Sequence, residues 1–182
     1  MQLNENVETY LYNAKSVLRD LAGMFEIFFN KKFDHSRYND ILKWAKNYFA
    51  KDHPISNFIE ANQSWLKDIV QRRNAVEHPG GYSGHLHIKN IEFVADKENP
   101  HFDPPTWFLN DNTPSSISSD LQGILRNLLE FTEILSVLIL QTIESQVPLK
   151  FYEIPEEERK KEVPVRFGVK IDIKNFKIKN ET

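Results

Sequence analysis

Asp68-Ile-Val-Gln-Arg-Arg-Asn-Ala-Val-Glu-His-Pro-Gly-Gly81 is the stretch from which the fold reads outward. It joins the end of a helix, two arginines, a histidine and an abrupt stop. On a helical wheel of about 100° per residue, Ile55, Phe58, Ile59, Trp65, Leu66, Ile69, Val70 and Val76 share one face, so the spacing predicts a helix from Ile55 to His78. Arg73 falls within roughly 20° of the centre of that apolar stripe, where a leucine would be expected. An unpaired guanidinium is costly to bury, so Arg73 must meet a carboxylate, line a wet cleft or face a second subunit. The helix must then stop, because the residue before Pro79 is pushed out of the α region and Gly80 and Gly81 do not sustain helix. His78 is thereby placed at the helix C-terminus, about one and a half turns from Arg73.

A fixed cation near a group that exchanges protons around neutral pH suits phosphate chemistry. The arginine neutralises phosphate oxygens, and the histidine gives or takes a proton. A purely structural reading uses the same residues. In it Arg73 and Glu77 form a helix-surface ion pair, Arg72 is solvated, and His78 merely ends the helix. Glu130 and Glu133 are the further carboxylates that could meet a buried Arg73.

The string Arg73-Asn74-Ala75-Val76-Glu77-His78 resembles the signature of the HEPN superfamily, named for higher eukaryotes and prokaryotes nucleotide-binding. That signature is an arginine, a polar residue directly after it, and a histidine a few positions on. The resemblance implies an antiparallel four-helix HEPN-like bundle that pairs as a homodimer. It also implies a metal-independent endoribonuclease of the toxin, defence or RNA-processing type, with Arg73, His78 and Asn74 catalytic. A two-fold axis would gather Arg72 and Lys67 of both copies as RNA- or phosphate-binding residues. No cofactor and no metal is implied. Some members of the superfamily have lost activity, so the resemblance also admits a non-catalytic nucleotide- or protein-binding scaffold module. The partners implied are RNA, a second copy, and an antitoxin or other protein.

Composition bounds these readings. A chain of 182 residues suits one domain with a sizeable core, and 40% hydrophobic content with thirteen Phe, three Trp and six Tyr argues for an aromatic-rich interior. Zero cysteines exclude disulfides, thiol nucleophiles and thiolate metal sites. The first residues have neither a basic region nor an apolar core, and no apolar run is long enough for a bilayer, which predicts a cytoplasmic protein with no membrane role. Net charge of −3 and a pI near 6.1 disfavour broad coating of nucleic acid but allow a focused basic cleft.

Along the chain, 1–81 carries three helices and the motif. Val7, Tyr10, Leu11, Ala14, Val17, Leu18, Leu21, Ala22, Phe25, Phe28 and Phe29 mark a first helix running to about Asn30, with Asn4 or Asn6 as cap. A second spans about Ser36 to Ala50, and Pro54 opens the third. From 85 to 110 a β-hairpin insert is expected. Its first strand is His85–Val94, irregular near Asn90 where the apolar parity shifts between Ile88 and Ile91, and its second is Thr106–Leu109, with Asp96–Pro105 as loop. Residues 119–147 form a long helix capped by Ser119 or Asp120, apolar almost all round from Ile134 to Ile143.

Residues 149–182 are a β-rich extension. The charged run Glu156–Glu162 reads as a solvated linker, and Val163 to Ile173 alternates as a half-buried strand expected to pair with the hairpin. Lys170, Lys174, Lys177 and Lys179 could touch RNA, although edge-strand lysines more often prevent aggregation. His85 and His87 share a strand face, but a zinc site needs three or four converging ligands, so they read as surface histidines. The fold class that emerges is mainly α: a helical bundle with a small antiparallel sheet made by the hairpin and the C-terminal strand.

Overall fold

The apolar period of the opening residues builds a 27-residue helix, α1 (Leu3–Phe29), in the computed structural model. The structure describes residues 3–34, 37–96, 98–143, 149–160 and 165–171. Val7, Leu11, Ala14, Leu18, Leu21, Ala22 and Phe25 form the buried stripe of α1, while Val17 and Phe28 stand at its exposed margins. The second helix, α2 (Tyr38–Tyr48), buries Ile41 and Ala45. Its expected start at Ser36 lies outside the described residues. Trp44, Tyr48 and Phe49 join Phe25 and Phe29 in an aromatic cluster, with Phe25 edge-on to Trp44 at 5.7 Å and Trp44 stacked on Tyr48 at 4.8 Å. Helix α3 (Pro54–Glu77) begins as expected at Pro54, where His53 Nδ1 accepts the Ile55 N–H at 3.3 Å. Both α1 and α2 pack on α3.

Tyr38 ties α2 to α1: its buried hydroxyl donates to the Leu18 carbonyl at 2.9 Å. Burial pushes this phenol above its ordinary value of 10.0. Above pH 10 the unfolded chain loses the proton that the folded chain keeps, so ν_U − ν_N is negative and stability falls with pH. The expected slope is about 1.4 kcal/mol per pH unit, beginning near pH 10. Tyr10, also raised by burial, adds to the fall in every variant. Urea titrations from pH 8 to 11 on wild type and Tyr38→Phe check this; parallel curves would remove Tyr38 as the source.

The mid-chain segment folds as a jointed ribbon. Strands β1 (Leu86–Lys89) and β4 (Thr106–Leu109) pair antiparallel, with Ile88 opposite Trp107, and β4 also pairs with β5 (Ser115–Ser116). Further out, β2 (Glu92–Val94) pairs with β3 (His101–Asp103). The ladder breaks on both sides at one level, at Asn90–Ile91 and Pro104–Pro105, because proline has no N–H to give. The irregularity expected near Asn90 is this joint. The loop expected over Asp96–Pro105 contains β3, which its short length and flanking prolines conceal.

Gly84 closes the turn before the ribbon at φ +78°, and a Cβ there would overlap the Asn110 side chain. That side chain is committed: Oδ1 accepts the His85 N–H at 2.8 Å, and Nδ2 donates to the Ser83 carbonyl at 3.3 Å. Gly84→Ala is therefore expected to destabilise by about 2 kcal/mol, whereas Gly123→Ala, with open space around a helical position, should stabilise by about 0.5 kcal/mol. Urea midpoints measure both, and equal midpoints for the two variants would sink the argument.

Helix α4 (Ile117–Thr142) starts before the expected Ser119 or Asp120. Ser116 Oγ accepts the Ser119 N–H at 3.4 Å, which leaves the Asp120 carboxylate for other partners. The expected end at residue 147 lies outside the described residues. By the density of its contacts the chain divides into two compact units, Met1–Leu129 and Glu130–Thr182, with the division inside α4. The first has its core in the helix stripes above together with Trp107, Leu109, Ile117, Ile124 and Leu128.

In the second unit, Phe131, Leu135 and Ile139 are buried on α4. Strand β6 (Leu149–Glu153) pairs antiparallel with β7 (Phe167–Ile171), Phe151 opposite Val169. Glu133 accepts from the Arg166 backbone N–H at 2.6 Å and from its Nε at 2.5 Å. The C-terminal strand thus pairs with β6 and not with the mid-chain hairpin, so the single small sheet expected from the sequence is corrected to separate antiparallel sheets. The nearer strand wins because it closes a much shorter loop. Of the lysines singled out in the tail, Lys170 lies over the Tyr152 ring at 5.2 Å, while Lys174, Lys177 and Lys179 lie outside the described residues. Among the described residues no helix is long and apolar enough to cross a membrane.

Candidate functional site

Successive residues of a helix point about 100° apart, so Arg72, Arg73 and Asn74 enter three different surroundings. Arg72 turns toward the sheet. Its side chain is only 14% exposed, with Nε 2.8 Å from Asp68 Oδ2 and Nη1 3.9 Å from Asp120 Oδ2. Its guanidinium lies over the Trp107 ring at 4.5 Å. Asp120 also accepts from Trp107 Nε1 at 2.6 Å and from Ser115 Oγ at 2.5 Å. The expectation that Arg72 is solvated is therefore corrected. This arginine joins α3 to β4 and the start of α4, and its buried Nη1 has no hydrogen-bond acceptor among the described residues.

Arg73 turns toward α1. Its side chain is 15% exposed, pairs with Glu77 one turn on, and lies over the Tyr12 ring at 5.7 Å. With Glu8, Thr9, Tyr12, Val76 and Glu77 it lines an open concavity of about 360 Å³. The carboxylate that Arg73 meets is thus Glu77; Glu133 is engaged by Arg166.

His78 caps the end of α3, its backbone N–H donating to the Asn74 carbonyl at 2.8 Å. Its ring is 72% exposed, and Nε2 lies 3.5 Å from Glu77 Oε2. Glu77 therefore stands between the arginine and the histidine.

Asn74 turns toward α1 on its other flank, where Oδ1 accepts from Lys15 Nζ at 2.7 Å. Burial lowers the Lys15 pKa, and the neighbouring Arg73 charge lowers it further. Lys67 is exposed and shares with Asn74 a second concavity of about 370 Å³, bordered also by Arg37, Gln63, Gln71 and Tyr82. The five residues singled out from the sequence do not form one cluster. Arg73 opens on one side of α3 and His78 stands at its end, both beside Glu77; Lys67 and Asn74 open on another side, and Arg72 turns inward.

Lys15, Tyr12 and Glu8 were not found from sequence. They sit on α1, far from the motif along the chain, and the one signal was a lysine flanking an apolar stripe between Leu11 and Leu18. His85 and His87 lie with ring centroids 6.2 Å apart, and His87 stacks on Phe108 at 4.8 Å. Among the described residues no group of three histidine or carboxylate side chains converges as metal ligands would. No family model, no curated protein and no solved structure matches this chain.

Proposed function

We propose that the chain is a HEPN-like, cytoplasmic, homodimeric endoribonuclease that needs no metal. The observation that carries the reading is the arrangement at the end of α3. A largely buried arginine opens on a concavity, and an exposed histidine stands at the helix terminus with Glu77 between them. A cation fixed by packing suits charge stabilisation, and an accessible imidazole suits proton transfer. His78 takes the proton of a ribose 2′-hydroxyl, whose oxygen attacks the adjacent phosphorus. The P–O5′ bond breaks, the leaving oxygen collects a proton, and a 2′,3′-cyclic phosphate remains. Arg73 stabilises charge on the phosphate oxygens, and Asn74 orients the motif. A second copy would bring a second Arg73 and His78 to the cleft. RNA is the substrate, and an antitoxin-like protein is the natural partner of such an activity.

One observation favours a second reading. Arg73 is already neutralised by Glu77, as in an ordinary helix ion pair, which suits a non-catalytic nucleotide- or protein-binding scaffold module. Cleavage of a mixed structured RNA pool in EDTA separates the two readings. Activity in wild type that is lost in both Arg73→Ala and His78→Ala supports the nuclease. Equal traces from all three folded proteins overturn it in favour of the module.

A further inference from the structure

The concavity on the α2 side of α3 is unusual in its charge. In a chain of net charge −3, Arg37 and Lys67 both border it, and Lys15 stands behind Asn74 in its wall. Among the described residues none of these three cations lies within ion-pair distance of a carboxylate. Three carboxylates of α3 have other partners: Asp68 holds Arg72, Glu77 holds Arg73, and Glu60 holds Lys46. Asp40 is the only carboxylate among the lining residues. The first turn of α2 borders the same space and adds the positive end of its dipole.

The amide of Asn74 is oriented by Lys15. Because Oδ1 accepts the lysine proton at 2.7 Å, Nδ2 is the group left to donate. Lys15 gains only an amide oxygen for its charge, with Arg73 repelling it nearby; burial lowers its pKa accordingly. Such an arrangement leaves a deficit of negative charge that an anionic ligand would supply. Two further features set the ligand's size and kind. The volume of about 370 Å³ lies at the lower end of the small-ligand range. Tyr82, whose side chain is fully exposed, stands at the rim and offers a ring face to a base.

We infer that this concavity is a phosphate-ester subsite, with Arg37 and Lys67 meeting the phosphate, Asn74 Nδ2 donating to it, and Tyr82 stacking on the attached base. Lys15 is the positioning residue that holds the amide. The inference rests on reading α3 as a phosphate-handling element, and it adds to the Arg73 face a second binding face on the opposite flank. It predicts preference for a nucleotide over free phosphate.

The test is calorimetric titration of the full chain, at low salt, with adenosine 5′-monophosphate and with inorganic phosphate. Wild type should bind the nucleotide more tightly than phosphate. Arg37→Gln with Lys67→Gln should weaken both ligands about tenfold or more, and Tyr82→Ala should weaken the nucleotide alone. Lys15→Met should weaken both, with Lys15→Arg restoring them, a rescue that a merely structural lysine would not show. No binding of either ligand by wild type, or equal binding by wild type and the double variant, overturns the inference. Nucleotide binding without RNA cleavage by any protein leaves it standing and sinks the nuclease reading. Cleavage dependent on Arg73 and His78, alongside binding indifferent to Arg37 and Lys67, does the reverse.

Discussion

Trp107→Ala is expected to destabilise the fold by about 3–5 kcal/mol. The indole is fully buried in the central strand of the β1-β4-β5 sheet, so its removal leaves a cavity that the strand, pinned on both sides, cannot collapse into. The indole also organises charge. Its N–H holds Asp120 at 2.6 Å, and its face covers the Arg72 guanidinium at 4.5 Å. Without it, a cation that already has one buried nitrogen lacking an acceptor loses its apolar cover as well. Trp107→Phe separates these effects. It keeps a ring beneath Arg72 but abandons the bond to Asp120, and should cost about 1–2 kcal/mol. Urea unfolding followed by far-ultraviolet circular dichroism measures both variants, and a loss under about 1 kcal/mol for Trp107→Ala would show that the indole is not a keystone of this layer.

In the EDTA cleavage assay, His78→Ala is expected to lower the rate about 10²–10⁴-fold, the usual contribution of a positioned acid or base. Arg73→Ala should lower it about 10²–10³-fold, the usual result of deleting one preorganised group that stabilises developing charge. Arg73→Lys should recover little, because an ammonium cannot reproduce the forked geometry that lies over Tyr12 and pairs with Glu77. Glu77→Gln discriminates further. If Glu77 restrains Arg73 until substrate arrives, the variant should bind RNA more tightly; if it orients His78, the rate should fall. A wild type with no activity against any RNA tested would leave the non-catalytic module as the account.

Much of this was legible where the determining interactions are local. The period of α1 is set by residues three and four apart, and Leu11, Leu18 and Phe25 fall where that spacing puts them. The stop after His78 follows from Pro79, and the joint near Asn90 from a slip in alternation. The near-burial of Arg73 was readable from the stripe around it. What escaped depends on chain segments far apart in sequence. Arg72 was read as solvated because nothing within one turn of it announces Trp107, which arrives from the returning strand of the ribbon. Asp120 was read as a cap because a carboxylate at a helix start usually is one; here Trp107 and Ser115 compete for it and prevail. Lys15 reaches Asn74 from another helix altogether. The pairing of β7 was misassigned because alternation marks the apolar face of a strand and is silent about its neighbour; nor is that face buried as expected, since Val169 and Ile171 are exposed.

The paired interruptions at Asn90–Ile91 and Pro104–Pro105 have an evolutionary reading. Ladder register normally propagates along a hairpin, so an insertion at the tip endangers every pair below it. Here the inner pairs from Leu86–Leu109 to Lys89–Thr106 are uncoupled from Glu92–Asp103 and beyond. The outer segment can therefore be lengthened, trimmed or exchanged between related chains while Trp107 stays in its seat. Variation should accumulate beyond the joint, where an exposed Phe93–Phe102 pair can be remodelled without touching the end of α3.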